Sequence, residues 1–183
     1  MRKVIFAINM SVDGYVSHTS FTPVEEVFEY FTKLVHDVDL IVYGRKMYEI
    51  MFPYWADETN WDTELETKFA KWITGLRKVV FSRTLDSAKY NARIVHTDPV
   101  EELRKLQQTP GGNILLSTVS MVPLLANAGL IDEYRLFVHP VLVGEGQRLV
   151  EDGGLVENLN LKLIETRAFK SGGIALHYAK REQ

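Results

Sequence analysis

The sequence predicts an α/β domain: a mostly parallel central sheet with helices on both faces, closed at one edge by antiparallel strands. Three observations carry this reading. From residue 3 to about 128, short β-branched and aromatic runs alternate with amphipathic segments, the pattern of parallel strands joined by crossover helices. From residue 133 the alternation stops, and three strand-like runs follow with no helical stretch between them. Two apolar runs, "LIVYGRK" at 40–46 and "VVFSRTL" at 79–85, pass through one small residue straight into cations, as strands do where they leave a buried sheet.

Residues 3–9 (KVIFAIN) form the first buried strand, and "SVDGYVS" follows with Asp13-Gly14 as its turn signal. Thr22-Pro23-Val24-Glu25 opens a helix: threonine caps, proline suits the first helical position, and Glu25 completes a capping box. Val24, Val27, Phe28, Phe31, Leu34 and Val35 then fall on one helical face. Residues 39–43 are a strand, 45–51 a short helix, 52–61 an irregular aromatic stretch and 63–74 a helix. Strands at 78–82 and 93–96 precede a helix at 99–107 that Asp98-Pro99 opens. After the turn Pro110-Gly111-Gly112 come a strand at 113–117 and a helix at 119–128 that Gly129 ends. The closing strands are 133–143, 160–169 and 173–181, the last two joined by a hairpin through Ser171-Gly172-Gly173.

A chain of 183 residues reads most economically as one domain, 1–183. With 21 Lys and Arg against 24 Asp and Glu, the net charge of −3 offers no basic field for nucleic acid or a membrane surface. There are no cysteines, which excludes disulfides and thiolate metal sites and suits the reducing cytoplasm. The first apolar run, Val4 to Ile8, is too short for a signal peptide or a span, so a cytoplasmic location is expected. The five histidines lack metal-ligand spacing, so no metal is expected, and His139 and His177 read as packing residues in strands. "GEGQRL" at 144–149 does not clearly open a helix and reads as a loop between strands rather than a dinucleotide fingerprint.

The chemistry gathers at strand ends. Gly44-Arg45-Lys46 is either an anion site, where a helix N-terminus and two cations meet, or a tight turn with two solvated cations. Ser82 and Arg83 repeat the arrangement after the next strand, and ligands of parallel α/β sheets lie outside the carboxyl ends of the strands. Ser117, Thr118 and Ser120 follow a third strand, either to contact phosphate or to cap a helix. Asp13 is the acid–base candidate, against a plain Asp-Gly turn residue. Phe52, Tyr54, Trp55 and Trp61 either stack a flat heterocycle or pack as a lid on themselves.

"SVDGYVS", "VYGRKMYE", "VVFSRTL", "AGLIDEYRLFVHPVLVGEGQRLV" and "ETRAFKSGGIALHY", in that order along nearly the whole chain, resemble the dihydrofolate reductase-like family. More narrowly, they resemble stand-alone relatives of the C-terminal reductase domain of the bifunctional riboflavin-biosynthesis protein. The resemblance implies an NADPH-dependent reductase of a small heterocycle, of the 5-amino-6-(5-phosphoribosylamino)uracil or pterin kind. It also implies a homodimer through the C-terminal strands. It implies cofactor contacts from Ala7, from Gly44, Arg45, Lys46 and Met47, from Ser82, Arg83 and Thr84, and from Ser117, Thr118, Val119 and Ser120. Asp13 passes the nicotinamide and substrate, as the proton donor unless a tyrosine or water fills that role, and Tyr48, Phe52 and Trp55 line the substrate. Two positions depart from the family pattern: Met47 replaces a usual threonine, and Ser117-Thr118 replaces a glycine pair or Gly-Ser. The alternative is a non-catalytic descendant that binds a nucleotide or a partner protein.

Overall fold

The computed structural model describes residues 1–16, 21, 25–34 and 36–181. The elements are β1 (Val4–Ser11), α1 (Glu25–Leu34), β2 (Val38–Gly44), α2 (Arg45–Trp55), α3 (Glu64–Gly75), β3 (Arg77–Phe81) and β4 (Ala92–Val95). They continue as α4 (Pro99–Gln108), β5 (Asn113–Ser117), α5 (Val122–Asn127), β6 (Glu133–His139), β7 (Leu161–Ala168) and β8 (Ile174–Lys180). The capping box expected at Thr22-Pro23-Val24, and Val24 and Val35 on the α1 face, lie outside the described residues.

All eight strands form one sheet in the order β4-β3-β2-β5-β1-β6-β8-β7. The first six run parallel, and β8 lies antiparallel between β6 and β7. This is the architecture predicted from the switch in pattern near residue 130. Alternation along each strand divides the core in two. Val4, Phe6, Ile8, Leu40, Val42, Ile114 and Leu116 pack against Leu103 of α4 and Val122 and Leu125 of α5. On the other face Ile41, Tyr43, Val80 and Leu115 meet α2 and α3, while Phe137 and Ala175 meet Val27 of α1.

Three boundaries differ from expectation. Strand β6 ends at His139, not at 143, because Pro140 brings no N–H to the ladder. The next residues turn back onto the end of β1, where the Val12 amide donates to the Val141 carbonyl at 3.0 Å. Helix α2 runs to Trp55 and takes in residues 52–55 of the stretch read as irregular. Met47, Tyr48, Phe52 and Trp55 recur at helical spacing and are all buried, which outweighs Pro53 inside the helix. Helix α5 begins at Val122 rather than 119, with Pro123 in its first turn.

The topology places a crevice. After β1 the chain crosses over β5 to reach β2, by way of α1 on one face. After β5 it crosses over β1 to reach β6, by way of α5 on the opposite face. Neighbouring strands whose connections leave in opposite directions open a gap beyond their carboxyl ends, the usual ligand position in open α/β sheets. Among the described residues no helix is long and apolar enough to cross a membrane, and no cluster of His, Asp or Glu could hold a metal ion.

Candidate functional site

Because β3, β2 and β5 run parallel and in register, their carboxyl ends share one edge: Gly44 pairs with Phe81, and Tyr43 with Ser117. Gly44 is also the residue before α2, and no side chain caps that helix. The other long helices with described starts are capped: Thr63 and Glu66 make a reciprocal box on α3, and the Asp98 carboxylate accepts from the Val100 and Glu101 amides on α4. Helix α2 also has no acid in its first turn, where the sequence places Arg45 and Lys46. Two cations at the positive end of a helix dipole repel it, an arrangement that an anion at the same place reverses. Arg45 turns partly away, its Nη1 donating to Glu49 Oε2 at 2.8 Å, while Lys46, Arg83 and Thr84 are exposed.

Ser82 has a different task from the one expected. Its hydroxyl oxygen accepts from the amides of Thr84 (3.1 Å) and Leu85 (2.9 Å), and its carbonyl accepts from His96 Nδ1 (2.7 Å). It shapes the turn, and the exposed group that this turn presents is Arg83. Met47 and Val119 face the two cores, so only their backbones are available to a ligand, and Ala7 lies half-buried beside the α2–α3 core.

Thr118 meets Gly44 directly. The threonine is 2 % exposed. A Cβ built on Gly44 would lie 2.8 Å from its Oγ1 and 3.7 Å from Ser120 Oγ. The threonine side chain therefore points inward and fills the gap between the β2–α2 and β5–α5 turns, and glycine at 44 is a packing requirement. Ser117 is half-buried beside the phenol of Tyr43. Burial raises the Tyr43 pKa above its ordinary value, and its enclosed oxygen has only Ser117 near it among the described residues. A fully buried phenol of that kind is a poor proton donor for a ligand in the crevice.

Asp13 holds loops together. Its carboxylate accepts from the Val143 amide (3.1 Å) and the Gly144 amide (2.8 Å). The Ser11 hydroxyl first, then the Gly144 and Val143 amides, hold its carboxyl at about 2. At neutral pH it is an anion, and its bonds to the 143–144 amides make it a tie between the two loops. Gly144 has φ +81°, so the "GEGQRL" stretch is a loop whose first glycine is needed for its turn. That loop is sewn to the β1 loop again by the Val16 amide, which donates to Gln147 O at 2.9 Å.

The expected substrate aromatics are also corrected. Tyr48, Phe52 and Trp55 are 7 %, 1 % and 7 % exposed and belong to the core under α2. The Tyr48 hydroxyl donates to Lys89 O at 3.0 Å and accepts from Lys89 N at 2.9 Å, which uses its polar end internally. What the sequence reading missed is Asn9 with His139. His139 Nε2 donates to Asn9 Oδ1 at 3.1 Å, on the α1 side of the crevice floor. Phe21 stacks on that imidazole with centroids 4.5 Å apart and planes 4° from parallel. A separate cavity of about 310 Å³ near the C-terminal end of α1 is lined by Tyr30, Arg135 and His177. Arg135 there is already paired with Glu133 at 2.8 Å, and the cavity lies toward the opposite ends of the strands.

Fold and site together define a dihydrofolate reductase-like protein with a candidate anion site along its carboxyl edge. The RibD C-terminal domain family matches residues 2–175, and the chain belongs to that family. A curated relative, the uncharacterized protein YyaP of Bacillus subtilis (strain 168), is 32 % identical over 181 residues, 97 % of this chain and 94 % of that one. Among solved structures, a putative riboflavin biosynthesis protein from Shewanella sp. PV-4 superposes with TM-score 0.76 at 19 % identity, covering 100 % of both chains. A pyrimidine reductase-like protein from Corynebacterium diphtheriae gives 0.70 at 11 % identity, over 100 % of this chain and 93 % of that one. Dihydrofolate reductase from Enterococcus faecalis, complexed with NADP(H) and RAB-propyl, gives 0.66 at 12 % identity, over 98 % and 97 %.

Two outcomes are expected. Gly44→Ala should destabilise by about 1–3 kcal/mol through overpacking, and adding Thr118→Ala should recover most of that loss in denaturant titrations. Losses that simply add would show that the two residues do not press on each other. Asp13 has a folded pKa of about 2, below its ordinary 3.8, so the stability it contributes is full above 3.8 and lost as pH falls toward 2. Asp13→Asn should therefore lower the melting temperature at pH 7, with the gap to the parent closing as pH drops from 4 to 2. A gap unchanged at pH 2 would contradict the assignment.

Proposed function

We propose that this chain is an NADPH-dependent reductase of a small heterocycle, of the 5-amino-6-(5-phosphoribosylamino)uracil or pterin type. The observation that carries the reading is the uncapped, cation-flanked start of α2, beside exposed Arg83 on the crevice edge. Such an edge fits a dinucleotide. The α2 amides with Arg45 and Lys46 would hold the pyrophosphate, Ser120 with the backbone of 117–119 would border it, and Arg83 would pair the 2′-phosphate. When bound, NADPH supplies the hydride. The chain's own part is to hold the phosphates, to fix the crevice walls through the Asp13 tie, and to leave proton delivery to water, since Asp13 is ionised and Tyr43 is sealed. The reductase names of the structural neighbours support the same class, and one of them is described in complex with NADP(H).

The alternative of a non-catalytic descendant rests on Ser117-Thr118 standing where the family has small residues. The inward turn of Thr118 weakens that alternative, because its side chain fills the Gly44 gap rather than the approach from solvent. A reducing cytoplasm suits both NADPH chemistry and a chain without cysteine. We further propose a homodimer through the C-terminal strands. Leu163, Ile164 and Ile174 are 51 %, 49 % and 43 % exposed on β7 and β8, and Leu142 in the neighbouring loop is 75 % exposed.

Arg83→Ala should weaken NADPH binding at least about tenfold, about 1.4 kcal/mol, in a fluorescence titration while NADH binding barely changes. Equal losses for both cofactors would remove Arg83 from the 2′-phosphate. For the assembly, light scattering at micromolar concentration should give a dimer, and Leu163→Glu should shift it toward monomer. A monomeric parent would refute the interface.

A further inference from the structure

We propose that Asn9 is a substrate-binding residue whose carboxamide donates to a ring carbonyl, and that His139 is the positioning residue that sets its orientation. The inference rests on the reductase reading above. It begins from the strand pattern: alternation places Ala7, Asn9 and Ser11 of β1 on the same face as Phe137 and His139 of β6. Of these, Asn9 is a half-buried polar side chain near the carboxyl end of β1, next to the crevice between β1 and β5.

The bland role for the pair would be to tie β1 to β6. Those strands are already joined by a ladder of seven register pairs, from Ile5 with Glu133 to Ser11 with His139, so a side-chain tie adds little to their alignment. The bond does decide something else, which is how the amide of Asn9 is turned. Its Oδ1 accepts from His139 Nε2 at 3.1 Å, so the NH2 of the same planar group is directed away from the imidazole. His139 itself packs against two rings, the stacked Phe21 and Phe137, whose centroid is 4.9 Å away and tilted 58°. It is 8 % exposed, and burial lowers its pKa below the ordinary value, so it is neutral near pH 7; the carbonyl oxygen it faces on Asn9 assigns its one proton to Nε2.

A donor pair fixed in this way complements a lactam carbonyl, a group common to uracil and pterin rings. No other side chain described at this end of the site does the same work. Asp13 is an acceptor already committed to two backbone amides, and the Ser11 Oγ accepts from the Tyr15 amide at 2.9 Å while its hydroxyl faces the Asp13 carboxylate. A carboxylate in place of Asn9 would offer only acceptors and would repel a carbonyl oxygen.

The test is a calorimetric titration of 6-aminouracil into the protein saturated with NADPH, alongside a separate NADPH titration of every variant. Asn9→Leu and Asn9→Asp should each weaken 6-aminouracil at least tenfold and leave NADPH affinity within twofold. His139→Leu should match the Asn9→Leu loss, while His139→Gln, which keeps a donor toward Asn9, should recover to within about threefold of the parent. Should His139→Leu fail to fold, the two Asn9 variants still decide the binding role. Unchanged 6-aminouracil affinity in both Asn9 variants, or a parent that binds NADPH but not the ring, overturns the proposal. A parent that binds the ring alone but not NADPH overturns the reductase reading instead, and Asn9 is then judged by the same ring titration without cofactor.

Discussion

The contact between Gly44 and Thr118 holds the candidate site together. It closes the space between two parallel strand ends with one small and one medium side chain, each chosen by the other. The start of α2 and the turn after β5 are thereby kept side by side. Everything that could bind an anion follows from that spacing: the uncapped amides of α2, the cations Arg45 and Lys46 and the hydroxyl of Ser120. A larger residue at 44 would push the two turns apart, and a glycine at 118 would leave a gap beneath them.

A second tie works on the loops after β1 and β6. Asp13 binds the loop after β1 to the loop after β6 through the Val143 and Gly144 amides, and the bridge between Tyr15 and Arg148 extends it. One carboxylate with three polar neighbours is thus used for shape rather than for proton transfer. Asp13 therefore contributes to the crevice by fixing where its two bordering loops stand. The same economy appears at Ser82, whose hydroxyl is spent on its own turn so that Arg83 stands free at the rim.

Much of this was legible in the residues. Alternation of strand and helix up to residue 128, and its loss beyond 133, already specified the mixed sheet, because crossover helices and hairpins leave different periodicities. The cations after Tyr43 and Phe81 marked the strand ends. Three things were not legible. Residues 52–61 read as irregular, yet the buried face of Met47, Tyr48, Phe52 and Trp55 carries α2 through Pro53 to Trp55, and tertiary burial is not a local signal. Asp13-Gly14 read equally as catalysis or turn, and only the distant Val143 and Gly144 amides, 130 residues on, decide. Asn9 and His139 are likewise 130 residues apart, and each alone looks like a strand residue.

The central claim is that the β2–α2 and β5–α5 turns form one dinucleotide phosphate site. The direct measurement is a titration of the isotope-labelled protein with NADP⁺, following backbone amide resonances. The account predicts that the largest, saturable shifts fall on Arg45, Lys46, Met47 and Ser120, with those of Lys33 and Asp37, at the amino end of the sheet, unmoved. Saturable binding that shifts the far-end amides and leaves the α2 start unchanged would contradict it, as would no shift at millimolar cofactor.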